Sequence, residues 1–290
     1  MRCWIAWLLA WGCALPGFGQ AFESFSEEYN FYTYLLREDY PGEAFTVLEK
    51  LSLRPGLTVG QRDTVQYAMG RFHYERQELL LAAEAFGEVS STNTELWTEA
   101  VFFRAFGLAY SGQPNIAIQE LDQVTFKDPQ YQELKVYQQA GMALLARDFA
   151  AYEQYKQGFT GTYFAFAEEE KNSQQWADDL QNFPGKRPWL AGTLSAIVPG
   201  LGRVYANKWG QGLATFMQVG VFGAQAWEGY RKDGLVSWRF ITFAAVGSIF
   251  YISNVVGSVF AAQQRNQEFY EAVDYRLKLD LHMPLRTLFR

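Results

Sequence analysis

The sequence predicts an all-α protein, in which an array of helical hairpins is followed by a membrane helical hairpin with a short re-entrant or interfacial helix. Residues 20–185 contain 25 Asp and Glu against 12 Lys and Arg, whereas residues 186–290 contain 6 against 12 and several long apolar runs. Helical periodicity with little strand alternation dominates from Phe22 to about Thr160. Such a reversal of charge is typical of a water-soluble acidic domain joined to a membrane domain.

The first 21 residues have the composition of a secretory signal peptide. Arg2 precedes a short apolar stretch, which is followed by a helix-breaking Pro-Gly pair and small residues up to Ala21. An uncleaved membrane anchor is the alternative, although about a dozen apolar residues are few for a span. Both cysteines, Cys3 and Cys13, lie here, so the mature chain would lack disulfides and thiolate metal sites. Lipid attachment at Cys13 is a second alternative.

A repeat runs through the acidic half of the chain. Ala44, Ala82, Ala117 and Ala151 are 38, 35 and 34 residues apart, which is close to the roughly 34-residue period of one class of helical repeat. The positions that recur around these alanines are Gly70, Ala82 and Phe86, then Gly107, Tyr110, Ala117 and Pro129, and then Gly141 and Ala151. Over residues 30–160 the pattern resembles the tetratricopeptide repeat. The resemblance implies paired helices that approach closely at small residues. A generic helical bundle with accidental alanine spacing is the alternative.

The acidic charge restricts the partners that such an array could bind. Stacked helix pairs form a concave face that commonly binds a peptide or another protein. The excess of carboxylates favours a basic or extended polypeptide and disfavours nucleic acid, because phosphates require clusters of Lys and Arg. We expect the run Glu168–Glu170 to be a solvated helix end rather than a cation site. The aromatic residues between Phe22 and Tyr34 are expected to cap the array, with a partner-docking ridge as the alternative.

Three apolar segments follow a basic hinge at Phe183–Pro188. They comprise residues 189–198, 212–227 and 238–262, which are ten, sixteen and twenty-five residues long. At about 1.5 Å per residue, the third reaches about 37 Å and can span a bilayer, whereas the second reaches about 24 Å and needs its flanks. The first is too short to cross as it stands, and if it does cross, the tail from Gln263 to Arg290 ends in the cytoplasm. We therefore expect a re-entrant or interfacial helix that packs on the other two.

A glycine-rich motif begins within the first apolar segment and runs from Ser195 to Tyr205, with two further glycines downstream. Its defining residues are Pro199, Gly200, Gly202, Tyr205, Gly210 and Gly212. The motif resembles a segment of poorly characterised bacterial membrane proteins that is distantly similar to the TM2 family. The chain departs from that pattern at Arg203, where glutamine is usual, and at Asn207, where glycine is usual. The resemblance implies a membrane location and topology, and it implies no activity.

Three polar residues, Gln218, Gln225 and Asn254, fall at membrane depth. We expect them to form hydrogen bonds between helices rather than to line a transport path. Small residues in the same helices would allow close packing, including self-association of the chain into a homo-oligomer. The apolar residues of the C-terminal tail fit either a strand or a helical face. We expect a helix to about Leu277 and extended chain beyond it.

These features divide the chain into four parts. They are a signal peptide at 1–21, a tetratricopeptide-like domain at 22–185, a membrane domain at 186–262 and a tail at 263–290. The sequence has no nucleotide-binding loop and no serine-nucleophile elbow, and its only histidines, His73 and His282, are far apart. We therefore predict a non-enzymatic protein without a catalytic, metal or cofactor site.

Two hypotheses of function follow. The first is a scaffold or adaptor in the bacterial inner membrane, with residues 22–185 on the periplasmic side, where they bind a protein or peptide partner. In that orientation the loop Glu228–Ser237 lies in the cytoplasm, in agreement with its Arg231 and Lys232. The alternative places the function in the membrane domain, as a helper of lipid handling or membrane-protein insertion, with the repeats in a regulatory role.

Overall fold

A computed structural model describes residue 22 and residues 24–289, and within them it contains 13 α-helices and no strand. The predicted all-α class is confirmed. In chain order the helices are α1 (Phe25–Arg37), α2 (Pro41–Ser52), α3 (Val59–Glu75), α4 (Leu79–Gly87), α5 (Thr94–Tyr110), α6 (Pro114–Asp122), α7 (Pro129–Leu145), α8 (Phe149–Lys156), α9 (Ala167–Asn182), α10 (Pro188–Ile197), α11 (Leu201–Tyr205), α12 (Trp209–Asp233) and α13 (Trp238–Leu288). The segment interpreted as a signal peptide lies outside the described residues.

By its contacts the chain divides into two compact units, one ending at Ser111 and the other beginning at Gly112. In the first unit, α1, α2 and α3 share a core cluster that includes Tyr32, Leu48 and Val65. This position of Tyr32 is the one expected of a helix that caps an array, since its ring is buried while Tyr34, on the same helix, is exposed.

Small residues bring α3, α4 and α5 close together. A Cβ atom added to Gly70 of α3 would lie 2.6 Å from the ring of Phe86 in α4. A Cβ atom added to Gly107 of α5 would lie 2.6 Å from the carbonyl oxygen of Leu79 in α4. Both distances are too short for a real side chain, so the two glycines allow the close approach of neighbouring helices that the repeat pattern predicts.

The helix pairs α1/α2, α3/α4 and α7/α8 are joined by the same three-residue turn. Its middle residues, Asp39, Gln77 and Arg147, have φ angles of 62°, 63° and 62°. In each turn the next residue donates its N–H to the carbonyl five positions earlier, at 2.9 Å. The link between α11 and α12 repeats this turn, with φ 62° at Asn207. Asparagine tolerates left-handed backbone better than most residues, which explains why it can replace the glycine usual at this position of the motif.

The C-terminal residues form a helix that packs on the array, and the expectation of extended chain beyond Leu277 is wrong. Helix α13 continues without a break to Leu288. Its residues Val273 and Leu277 join a core cluster with residues of α7, α8 and α9, such as Ala140, Tyr152 and Ala177.

Polar contacts support the same docking. The Gln138 amide of α7 donates to the Leu281 carbonyl at 2.7 Å, and the Trp176 indole of α9 donates to Asp280 at 2.8 Å. A Cβ atom added to Gly141 would lie 2.5 Å from the Leu281 side chain. The tail forms a helix rather than a strand because α7 and α9 bury the helical face that carries Leu277 and Leu281.

Helices α12 and α13 form an antiparallel hairpin joined by residues 234–237. Phe222 stacks on Phe250 with ring centroids 5.0 Å apart, and Gly229 lies against the backbone of Phe240. The outer faces of both helices are apolar and exposed, with Leu213, Phe216, Met217, Val221, Ile241, Ile249, Ile252, Val256 and Phe260 among their large residues. Among the described residues, α13 alone is long and apolar enough to cross a membrane, judged by length and composition.

Candidate functional site

The glycine-rich motif forms a break between α10 and α11, and this break is the most specialised local structure in the second unit. Val198 is extended (φ −129°, ψ 113°), as the following proline requires. Gly200 then adopts left-handed backbone at φ 86° and begins α11. Both short helices pack on α13, and α11 also packs on α12. The expected packing of the first apolar segment, α10, on a neighbouring apolar helix is thus seen for α13, and its packing on α12 stays a prediction.

A buried polar cluster satisfies the backbone groups that the break exposes. The Asn254 side chain of α13 accepts the N–H of Gly200 at 3.1 Å and donates to the Ser195 carbonyl at 3.2 Å. The Ser195 hydroxyl accepts the N–H of Gly202 at 2.9 Å and contacts the Ser258 hydroxyl at 2.6 Å. Ser195, Asn254 and Ser258 are all buried. The cluster therefore performs the role that water would play at a solvated helix end.

Three of the four motif glycines are required by close backbone contacts. A Cβ atom on Gly202 would overlap the carbonyl oxygen of Ala191 and lie 2.7 Å from the Ser195 hydroxyl, and one on Gly200 would overlap the carbonyl oxygen of Gly212. A Cβ atom on Gly212 would lie 2.6 Å from Val204. Gly210 differs, because nothing lies within 4 Å of the space its Cβ would occupy.

The motif tyrosine anchors the hinge that precedes α10. The Tyr205 hydroxyl accepts the N–H of Arg187 at 3.1 Å, and the Lys186 ammonium lies 4.8 Å from the centre of its ring. The side chain of Asn266 in α13 bonds both the N–H and the carbonyl of Lys186, at 2.7 and 2.8 Å. Lys208 also reaches α13, where its ammonium lies 3.6 Å from Glu268. The hinge is thus tied to the part of α13 just beyond its apolar run.

Of the three polar residues expected to link helices, Asn254 alone does so. Gln218 and Gln225 form no hydrogen bond within the described part of the chain, so their interhelical bonding and self-association through α12 stay predictions. Asn254 differs from the two glutamines because it lies opposite the Pro199–Gly200 break. The spacing of residues in the sequence does not reveal this position.

The repeat positions of the array occupy packing sites. Ala82, Phe86 and Ala117 are buried, and Pro129 is the first residue of α7. Ala151 is half-buried against the cluster that joins α7, α8, α9 and α13. Tyr110 differs, since it is largely exposed at the end of α5.

A buried carboxyl pair in the array was not predicted from the sequence. Glu133 of α7 and Glu170 of α9 are 7% and 5% exposed. Thr160 donates its N–H and its hydroxyl to Glu133 at 2.8 Å, and the N–H of Gly161 donates to Glu170 at 3.0 Å. Of the run expected to be a solvated helix end, Glu168 is exposed, but Glu170 is not.

Burial and the neighbouring Glu133 raise the pKa of Glu170 to about 7. Its second oxygen, Oε1, is buried without a hydrogen-bond donor. Protonation of Glu170 removes a buried charge and its repulsion by Glu133, which explains why the pKa is raised. No group of three metal-ligating side chains occurs in the described residues, and the pair is best understood as a hydrogen-bonded clamp between α7, α9 and the loop at Thr160.

No family model, no curated protein and no solved structure matches this chain. The described residues are all-helical, and the second unit combines helices α7, α8 and α9 with an apolar hairpin and a helix break stabilised by buried polar groups.

We expect replacement of Asn254 by alanine to destabilise the second unit by about 2–4 kcal/mol. The change removes two hydrogen bonds and leaves the Gly200 N–H and the Ser195 carbonyl buried without partners. Thermal unfolding of the detergent-solubilised protein, followed by circular dichroism, measures the loss. Ser253→Ala is the matched control, since Ser253 is exposed on the same helix and should change stability by less than about 0.5 kcal/mol. Equal midpoints for the two variants would show that the cluster does not support the break.

Proposed function

We propose that this chain is a membrane-anchored scaffold that binds a protein partner in the bacterial envelope through its helical array. One observation carries the proposal: α13 is a single helix whose first half exposes large apolar residues and whose second half is part of the array's core. A helix with an apolar exposed surface of this length is stable in hydrocarbon, and its continuation joins that anchor to α7, α8 and α9 of the second unit.

The proposed anchor is a two-helix hairpin. Residues of α7 and α9 contact the last turns of α13, so the chain must enter and leave the bilayer on the same side between Asn182 and Gln263. Helix α12 has 25 residues, of which the apolar stretch 212–227 reaches about 24 Å, so we propose that it pairs with α13 as a second span with the help of its flanking residues. In this arrangement α10 and α11 enter and leave the membrane from the side of the array, as a re-entrant pair covered by α12 and α13.

The array is proposed to lie on the periplasmic side. The export-like N-terminal sequence supports this orientation. Counting Lys and Arg near the ends of the hairpin supports the opposite one, with Lys186, Arg187, Lys208 and Arg265 beside the array against Arg231, Lys232 and Arg239 at the other end. We give the export sequence more weight, because long domains translocate largely regardless of their charge.

Single-cysteine labelling tests the anchor and its orientation. The variants Glu153→Cys in the array and Gln267→Cys in α13 are made in a Cys3→Ser, Cys13→Ser background. In spheroplasts, both introduced cysteines should react with a membrane-impermeant thiol reagent. A cysteine at Leu235, in the hairpin turn, should react only after the membrane is opened. If the cysteines at positions 153 and 267 were labelled from different sides of the membrane, the hairpin arrangement would be contradicted. If the purified protein stayed monodisperse without detergent, the membrane anchor itself would be contradicted.

Partner binding requires a test on the full chain, because the end of α13 is part of the array's core. Leu80 and Leu81 of α4 are large apolar residues on the array's surface, and both are exposed. A photoreactive residue at either position should form the same covalent adduct in cells, and the same group at exposed Glu43 of α2 should not. If the photoreactive groups at positions 80 and 81 captured different proteins, the chain would have no defined partner at this surface.

A second candidate function lies in the membrane hairpin. A groove of about 400 Å³ opens between α12 and α13, lined mainly by apolar residues that include Phe222, Phe243 and Ile252. Such a groove favours the alternative of a helper in lipid handling or membrane-protein insertion. Replacing residues 189–262 with an unrelated hairpin distinguishes the two, since the photo-adducts should persist if the chain is a scaffold.

A further inference from the structure

The basic residues around the helix break differ in how they are paired. Residues 183–227 contain no acidic residue and four basic ones, Lys186, Arg187, Arg203 and Lys208. Lys208 is paired with Glu268, Lys186 lies over the ring of Tyr205, and Arg187 is exposed in the hinge. Arg203 forms no hydrogen bond or ion pair within the described residues, and its Nε atom is buried without an acceptor.

Arg203 lies deeper in the apolar region than the other three. Its Nη2 atom is 2.7 Å from the position of a Cβ atom on Gly257, so the guanidinium rests against α13 at that glycine. The hinge contacts α13 at Asn266, nine residues further along, which corresponds to roughly 13 Å. Between these levels α13 exposes the apolar Phe260 and then, from Gln263 onward, polar side chains. An unpaired guanidinium at this depth is costly unless an anion reaches it.

We propose that Arg203 binds the phosphate of an anionic phospholipid in the membrane leaflet next to the array, with Gly257 as the seat for the guanidinium. The inference rests on the membrane anchoring proposed above. The long Arg203 side chain can extend toward the headgroup layer, where lipid phosphate is the available anion, and guanidinium binds phosphate through charge-assisted, bidentate hydrogen bonds.

The surrounding charge selects the kind of lipid. Glu268 of α13 offsets Lys208, but Lys186, Arg187 and Arg203 have no carboxylate near them in residues 183–227, so the net local charge is positive. A headgroup with net negative charge, such as that of phosphatidylglycerol, is attracted, whereas the ammonium group of phosphatidylcholine is repelled. The exposed indoles of Trp189 and Trp209 flank the break, where they would anchor it at the interface.

Lipid binding to the purified full-length protein in non-ionic detergent tests the proposal. Fluorescent phosphatidylglycerol should bind in preference to phosphatidylcholine, and Arg203→Gln, which introduces the residue usual in the motif, should weaken that binding about tenfold. Gly257→Ala should weaken it too, because the added methyl group displaces the guanidinium from its seat while the charge is kept. Arg203→Lys should retain part of the affinity, since it preserves the charge and loses the bidentate geometry.

The matched control is Arg239→Gln at the far end of the hairpin. Arg239 already lies 3.5 Å from Asp233, so its loss should leave lipid binding unchanged. Unaltered binding by a folded Arg203→Gln protein would overturn the inference and leave the membrane anchor intact. Competition by inorganic phosphate as strong as that by phosphatidylglycerol would also overturn it, because the site would then hold a soluble anion. A wild-type protein that needs no detergent would instead overturn the anchoring on which the inference depends.

Discussion

Gly202→Ala is expected to destabilise the second unit by about 3 kcal/mol. The added Cβ atom would overlap the Ala191 carbonyl oxygen and come within 2.7 Å of the Ser195 hydroxyl. Backbone cannot move aside as a flexible side chain can, so α10 and α11 must separate and the bond from the Gly202 N–H to Ser195 must lengthen. The thermal unfolding midpoint of the detergent-solubilised protein should fall accordingly.

Gly210→Ala provides the matched control within the same motif. Gly210 is in the first turn of α12, and no atom lies within 4 Å of the position its Cβ would take. Alanine is the better helix former, so this substitution should leave stability unchanged or raise it by up to about 1 kcal/mol. If Gly202→Ala and Gly210→Ala had the same midpoint, the close contact between α10 and α11 would not exist in the folded protein.

The contrast between these glycines shows what a sequence motif can and cannot reveal. Pro199, Gly200 and Gly202 mark a break in an apolar helix, because proline and positive φ are incompatible with helix continuation. That part is predictable from the residues themselves. The partner that makes the break tolerable is Asn254, more than 50 residues away, and one buried asparagine in a long apolar run has no local pattern that reveals its partner.

The helical array was predictable for a related reason. Alanine and glycine recur at a fixed period, and the three-residue turns at Asp39, Gln77 and Arg147 repeat the same left-handed conformation. Such features are local and periodic. The end of α13 has no such local, periodic pattern. Its alternating apolar residues fit a strand as well as a helix, and only the packing of α7 and α9 against one helical face decides between them. Glu170 was missed for the same reason, because its burial depends on α7 and on the loop at Gly161.

Glu170→Gln is expected to change how stability depends on pH. Burial and Glu133 raise the pKa of Glu170 to about 7 in the folded protein, above the value near 4.5 that a free carboxyl has. The folded state therefore binds a proton that the unfolded state releases between about pH 4.5 and 7, so this contribution is fully present below that window and is lost as pH rises through about 7. Within the window, the free energy of unfolding should fall by up to about 1.4 kcal/mol per pH unit.

Urea unfolding of the full-length protein at a series of pH values measures this slope. Glutamine keeps the shape of the protonated acid and can donate to Glu133 at every pH, so Glu170→Gln should match wild type near pH 5 and exceed it above pH 7. Glu169, Asp280 and His282 also have pKa values shifted by burial, but they are common to both proteins and cancel in the difference. Glu168→Gln, at an exposed position of the same helix, should follow the wild-type profile. Parallel profiles for wild type and Glu170→Gln would mean that no proton is held between α7 and α9.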